Sequence, residues 1–524
     1  MAKQRASTKQ LDDAQRRIVL AVSIASVTLL TLASSFNLVL NDMLQDLNAT
    51  DSQTDMARQI PSIAALLVIF VAGSVGERLG ARRVMLACTA LYAIGSVIVT
   101  VAPVMGVATL GLLLANVGKS ALFVVGLAFM SSRIASKDGR AAAFATFSAV
   151  MPVTYLIMPL IAGAILTTAS WRLVALIWAV SGVVGFIAVR VLLPADRGET
   201  DSTGELLTPA LAGLVLASLV QVITVLPDSG LTTRLTVTIA IGFACLVALI
   251  VAMRRMSNPT LSLEPLRHGG LVLMLIVLIL TLFANLWFYM TMAMQYIYGL
   301  TAFEVAVAFI PTQIFSIAGA AWTGRLVQRK GVAFAGSLLL LIVALSLGVS
   351  ALVLVTTPIW VCILIVSIYS AAAVGAGVAL TNAIMDLARK GDDGSASAYR
   401  GAAMNLGTAI GVAAMTGVVF FAASSSLQEQ AVSAGLDPST ATQVATEMRD
   451  GATSEEASSL YAVPLDEVDE IDSLQQNAYL VGFHAHGAVG GAITLVAAGL
   501  FYVVRRRQEA GILEVPKVEP TSAA

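Results

Sequence analysis

The chain has 524 residues, 57% hydrophobic and 12% charged, with a formal net charge of −1. Soluble domains carry roughly 25% charged residues, so an ordinary soluble protein is excluded and a polytopic membrane protein is indicated. Net charge near zero says little about partners; the position of each charge along the chain says more.

Met1 to Arg17 is polar and basic and precedes a full-length apolar run, which is expected to stay as a signal anchor. Apolar runs then predict fourteen spans: 17–40, 60–76, 84–103, 106–130, 140–167, 171–193, 208–226, 234–253, 270–298, 302–324, 332–355, 358–385, 398–423 and 478–504. An even number puts both termini on one side. The amino tail, alternate loops and the carboxyl tail hold 26 of the 31 Lys and Arg residues. Four (Arg58, Arg172, Arg234 and Arg449) fall on the other side, and Lys119 falls inside a span. This bias places both termini in the cytoplasm of a multi-pass protein of the plasma membrane. The segment 424–477 is then the large outer loop, with eleven Asp and Glu against Arg449 alone. It reads as an acidic solvated cover or a cation-attracting vestibule. Runs in it such as Ala441–Met448 are long enough for short helices.

No catalytic constellation appears. Cys88, Cys245 and Cys362 sit in apolar runs without disulfide or metal spacing. His268, His484 and His486 have no cysteine or carboxylate at metal spacing, and no Gly-x-x-x-x-Gly-Lys-Ser/Thr phosphate loop exists. The expectation is no enzyme, no cofactor, no metal and no nucleic acid partner. Work would be driven by an ion or substrate gradient. The partners expected are a small molecule, the lipid bilayer and, as a candidate, protons; a monomer is expected.

Between spans two and three lies Gly73-Ser74-Val75-Gly76-Glu77-Arg78-Leu79-Gly80-Ala81-Arg82-Arg83. Its glycines allow close approach and chain reversal, and its charges mark a water surface. Read from residues alone, it is a solvated basic turn or a latch. The order resembles the loop between the second and third helices of the major facilitator superfamily, where an acid-plus-base cluster latches the cytoplasmic gate. After span ten, Thr323-Gly324-Arg325-Leu326-Val327-Gln328-Arg329-Lys330-Gly331 is similar, with Gln328 where an acid would stand. The gate residues so implied are Gly73, Glu77, Arg78, Gly80, Arg82, Gly324, Arg329 and Gly331. Ser170-Trp171-Arg172, Thr381-Asn382-Ala383 and Gly394–Ser397 leading to Asn405-Leu406-Gly407 with Gly411 resemble further segments of the fourteen-helix drug:proton antiporter branch.

The resemblance implies an all-α major facilitator fold. The boundaries are a cytoplasmic tail 1–16, a six-helix half 17–193, two inserted helices 208–253, a second six-helix half 270–504 and a tail 505–524. Substrate would bind between the halves. Span five carries Pro159 and Gly163 of the antiporter signature, with Met158 and Ala162 in place of glycines; a proline there is expected to kink the helix. The branch's usual Asp in span one and Arg in span four fall on Leu32 and Leu114.

Polar residues inside spans serve as interhelical glue or line a cavity. The cavity candidates are Asn37, Asn116, Lys119, Tyr155, Asn285, Gln313 and Asn405. Lys119 stands some 12 residues from each end of its span, roughly 18 Å from either surface at 1.5 Å per residue. It reads as a substrate contact or proton-switchable amine, or as a structural amine bonded to carbonyls. No Asp or Glu sits deep in a span; Asp42, Glu304 and Asp386 stand nearest. The cluster Trp287, Phe288, Tyr289, Met290, Met292 and Met294 lines the cavity or faces lipid. The function expected is export of small amphipathic compounds by alternating access. The alternatives are a metabolite or lipid exporter or facilitator without proton coupling, and a non-transporting sensor or scaffold.

Overall fold

The computed structural model describes residues 12–134, 136–195, 206–229, 232–256, 266, 269–300, 302–387, 393–449, 454–461 and 463–509. Every regular element among them is helical, as a bilayer requires: a backbone without water must satisfy its own hydrogen bonds. Helix α1 (Asp13–Asp46) opens on a capping box, Asp12 accepting from the Gln15 amide at 2.7 Å while Gln15 accepts from that of Asp12. Thr50 and Gln53 repeat the device at α2 (Asp51–Leu79). Gly80, at φ 88°, ends α2 and starts α3 (Ala81–Thr100) without an intervening loop. Only glycine takes that backbone freely.

Helices α4 (Met105–Arg133), α5 (Lys137–Leu166) and α6 (Trp171–Leu192) complete the first group. Within it, α1 packs on α5 and α6, α3 on α4 and α6, and α2 on α4. The α3–α4 crossing is tight: a Cβ on Gly95 would stand 2.6 Å from backbone atoms of Gly111 and Ala115. Small residues supply this closeness where lipid offers no hydrophobic drive. At the start of α6, Trp171 and Arg172 both donate to the Asp46 carboxylate at the end of α1, and Arg172 also donates to Ala102 O at 3.0 Å. The hydrogen bond from Arg172 holds the Asp46 carboxyl below its ordinary pKa.

Helix α7 (Leu207–Ser229) lies against α2, Gln221 donating to Gln59 at 3.0 Å. Helix α8 (Thr233–Arg255) leans on α7 and turns apolar side chains such as Phe243 outward. The remaining helices are α9 (Gly269–Leu282), α10 (Leu286–Tyr296), α11 (Ala302–Ala308), α12 (Ile310–Ser350), α13 (Ile359–Asp386), α14 (Asp393–Ala434), α15 (Pro438–Arg449), α16 (Ser454–Tyr461) and α17 (Leu465–Glu509).

Thirteen helical stretches among the described residues are long and apolar enough to cross a membrane. The difference from fourteen lies in α12. Its 41 residues would span about 60 Å, twice a ~30 Å hydrocarbon core. Gly331 breaks it with φ 83° and ψ 163°, so α12 is two legs joined at one residue, and counting the legs separately restores fourteen. Gly331 follows Gly324 by the same seven residues that separate Gly80 from Gly73, so the two similar segments share a backbone reversal.

Two features go beyond what was expected. Span nine is one membrane-length stretch, Gly269–Tyr296, but it is broken inside: α9 stops at Leu282 and α10 starts at Leu286. Asn285 caps α10 by accepting from the Phe288 amide, and the buried Tyr369 hydroxyl donates to Ala284 O at 2.9 Å, satisfying the opened backbone. The segment 424–477 is not merely a solvated cover. Helix α14 runs on to Ala434, and α15, α16 and the start of α17 fold around their own apolar centre of Leu427, Val444, Val468 and Ile471. Helix α5 continues as helix through Pro152 and Pro159 to Leu166, and open space surrounds Gly163.

Candidate functional site

The bundle has a basic end, carrying Arg78–Arg83, Arg325–Lys330 and Arg505–Arg507, and an opposite end carrying the folded loop. The contacts that join the first six helices to those after Gly269 gather toward the basic end. Ser397 on α14 donates to Val124 O on α4 at 2.9 Å. Phe70 on α2 meets Tyr399 edge-on at 5.8 Å. A Cβ on Gly324 would lie 3.0 Å from that of Ala145 on α5. Arg140 at the start of α5 pairs with Asp386 at the end of α13 at 2.6 Å, and Arg505 reaches the other oxygen of Asp386 at 3.4 Å.

Asp386, one of the acids standing nearest to a span without lying deep in it, is paired by the structure with two arginines. Arg400, expected among loop cations, is instead buried. Its Nε donates to Thr381 at 3.0 Å, its guanidinium lies 5.8 Å from the Phe123 ring centre, and its Nη1 has no hydrogen-bond partner among the described residues. Arg82 donates to the carbonyl of Arg190 at 2.7 Å, closing α3 onto α6. Arg78 and Arg329 are exposed, and Gly73 and Gly324 are buried where helices meet. The side chains of Glu77 and Asn37 lie outside the described residues, as does His268.

Above this closure two chambers stack. The nearer one, about 230 Å³, is lined by Leu30, Lys119, Phe123, Met151, Gly401 and Asn405. The second, about 300 Å³, is lined by Tyr155, Asn285, Trp287, Tyr289, Gln313 and Tyr369, among others. They adjoin: Met151 and Tyr155 are one turn apart on α5, and Asn405 and Thr408 one turn apart on α14. On both helices the second chamber lies toward the loop end. Five of the seven cavity candidates, Lys119, Tyr155, Asn285, Gln313 and Asn405, are thus brought together in adjoining chambers. Asn116 turns back to Leu112 O on its own helix at 2.9 Å, the bond of a structural amide. Asn405 makes the same kind of bond to Gly401 O at 2.8 Å and still faces its chamber.

Lys119 lies at the centre of α4, between Met105 and Arg133, and among the described residues it has no hydrogen-bond or ion-pair partner. Reasoning from sequence missed Tyr369 and the break at Phe283–Asn285. An asparagine placed three residues before Phe288 is an N-cap signal that could have located the break.

The whole-chain arrangement and the sequence agree on one family. Residues 21–412 match the model of the Major Facilitator Superfamily. The chain belongs to the major facilitator superfamily. Members of this family are membrane transporters, and the apolar helices make this chain a multi-pass membrane protein. It is similar to the uncharacterized MFS-type transporter EfpA of Mycobacterium tuberculosis, 26% identical over 270 residues, and that match spans half the length of each chain. It is 24% identical over 377 residues to the methylenomycin A resistance protein of Streptomyces coelicolor, covering 69% of this chain and 76% of that one. The crystal structure of the human organic anion transporter MFSD10 shares the fold, with a TM-score of 0.61 at 13% identity, covering 93% and 99% of the chains.

Proposed function

We propose that this superfamily member exports small amphipathic compounds by alternating access, rocking α1–α6 against the helices after Gly269, with α7 and α8 inserted between them. The basic end is read as cytoplasmic in the plasma membrane, from the 26-to-4 bias of Lys and Arg. On that reading the structure is the state closed to the cytoplasm. The observation that carries the proposal is the stack of two chambers between the helix groups, above a basic end closed by Arg140, Asp386, Ser397 and Gly324. A relative named as a methylenomycin A resistance protein supports efflux as the direction. Gly80 and Gly331, reversing the chain at equivalent places, are read as the hinges beside the gate, with Glu77, Arg78, Arg82 and Arg329 around them.

The test is a deletion strain screened for sensitivity to a panel of amphipathic compounds, followed by proteoliposomes loaded with each hit. Efflux restored by the wild-type chain and lost in Lys119→Met at equal expression supports the reading. Wild-type efflux by Lys119→Met removes that residue from it, and no movement of any compound leaves a scaffold. A second reading, facilitated movement without proton coupling, is favoured by chambers lined with amides, aromatic rings and one amine rather than carboxylates. A transport rate that ignores an imposed pH gradient would select it.

A further inference from the structure

We infer that the paired chambers take an amphipathic compound carrying one acidic group, the acid seated on Lys119 and the apolar body against the aromatic wall above it. The inference rests on the transport reading and names its substrate class. Three observations carry it. Lys119 lies at the middle of α4, Gly118 and its neighbours press the helix onto α3, and the amine opens on the nearer chamber. That amine has no acid, carbonyl or hydroxyl bonded to it among the described residues. Placing an uncompensated charge there costs several kcal/mol, and bilayer-centre lysines face a cavity or a counter-charge.

The second observation is the sign of the surroundings. No Asp or Glu is among the residues lining either chamber. Asp386, at the basic end of α13, is already held by Arg140 and Arg505. Arg400, the residue before Gly401 in the chamber wall, adds a second cation whose Nη1 has no hydrogen-bond partner among the described residues. An approaching cation meets only like charge, and an approaching anion supplies the missing partner.

The third is shape. Leaving Lys119 toward the loop end, a ligand crosses one turn of α5 and α14. It then meets Tyr155, Trp287, Tyr289 and Tyr369, rings suited to an apolar body. Asn405 shares the Lys119 chamber and can donate to a second acid oxygen. A carboxylate, sulfonate or lipid phosphate head would satisfy the amine equally, so the source of the acid is left to the experiment.

The experiment measures binding to the purified full-length chain by quenching of tryptophan fluorescence, Trp287 lying in the chamber wall. One arm compares 1-naphthoate with 1-naphthylmethylammonium and 1-naphthamide. The other compares short-chain phosphatidylglycerol with short-chain phosphatidylcholine. The expected result is about ten-fold or more tighter binding of the anion in at least one arm, the scale of one charge-assisted hydrogen bond. Preference in the first arm assigns a soluble acid and in the second an anionic lipid. Lys119→Gln should abolish the preference, and Lys119→Arg, which keeps the charge, should retain it. Equal binding of all members of both arms, a preference for the cation, or an anion preference unchanged in Lys119→Gln overturns the inference. Anion preference without movement in loaded vesicles would keep this site and discard the transport reading.

Discussion

His486 is fully buried, and neither ring nitrogen has a partner among the described residues. Its ring lies 4.1 Å from that of Tyr289, which lines the upper chamber. Two residues earlier, His484 spends a nitrogen on Val353 O in the loop after α12. An unpaired buried polar group costs about 1–3 kcal/mol. His486→Phe keeps the ring contact and removes both nitrogens, so the purified variant should melt at or above the wild-type temperature. A clear drop would mean the ring holds a bound water. At the basic end the argument runs the other way. Asp386→Asn leaves Arg140 and Arg505, both largely shielded, without a counter-charge, and breaking such a pair costs about 3–5 kcal/mol. Labelling of a cysteine placed behind the pair should rise in Asp386→Asn and stay near wild type in Asp386→Glu. Equal labelling in both would reduce the pair to a surface contact.

Helix ends and breaks carry the next set of consequences. Gly80 and Gly331 adopt φ of 88° and 83°, where a side chain costs roughly 1–2 kcal/mol per residue. Gly331→Ala is expected to lower the melting temperature and slow transport, because the two legs of α12 can no longer reverse at that residue. Unchanged behaviour would show that the reversal can move elsewhere. In the folded loop, Asp437 caps α15 by accepting from the hydroxyls of Ser439 and Thr440 and from the Thr440 amide at 2.8 Å. Those bonds, with Ser439 first, hold its pKa down from 3.8 to about 2. A carboxyl lowered on folding stabilises the fold above its unfolded pKa, and that contribution fades as pH falls from about 4 toward 2. Proteolysis of the 424–477 segment should therefore quicken across that window in the wild type. In Asp437→Asn the acid-induced change should be smaller.

Across the whole molecule, closure at the basic end is the feature that alternating access must undo. Ala145 on α5 and Gly324 on α12 bring their Cβ positions to 3.0 Å, within small adjustment of disulfide geometry. Ala145→Cys with Gly324→Cys, in a chain whose Cys88, Cys245 and Cys362 are replaced, should cross-link on oxidation. Transport should stop, and a reductant should restore it. A fully cross-linked protein that transports at the wild-type rate would show that these helices do not separate during the cycle.

The membrane class and the repeated glycine spacing were legible in the residues, whereas the count of spans, fourteen expected against thirteen helical stretches, turns on how the reversal at Gly331 is read. Apolar length, the bias of 26 basic residues to 4 and the seven-residue interval are properties of one-dimensional order, which the bilayer then enforces. Lys119 could be singled out for the same reason, since a charge in mid-span is costly wherever it points. Which polar residues meet was not legible. Asn116 and Asn405 look alike along the chain; one bonds to its own helix away from the chambers and the other faces Lys119's chamber, because of how α4 and α14 are rotated by packing. Tyr369 reaches Ala284 across 85 residues, and Arg140 reaches Asp386 across 246. Local hydropathy contains no term for such pairs. They exist because close-packed helices bring distant polar groups into a medium where each must find a partner, and only the tertiary arrangement determines which partner that is.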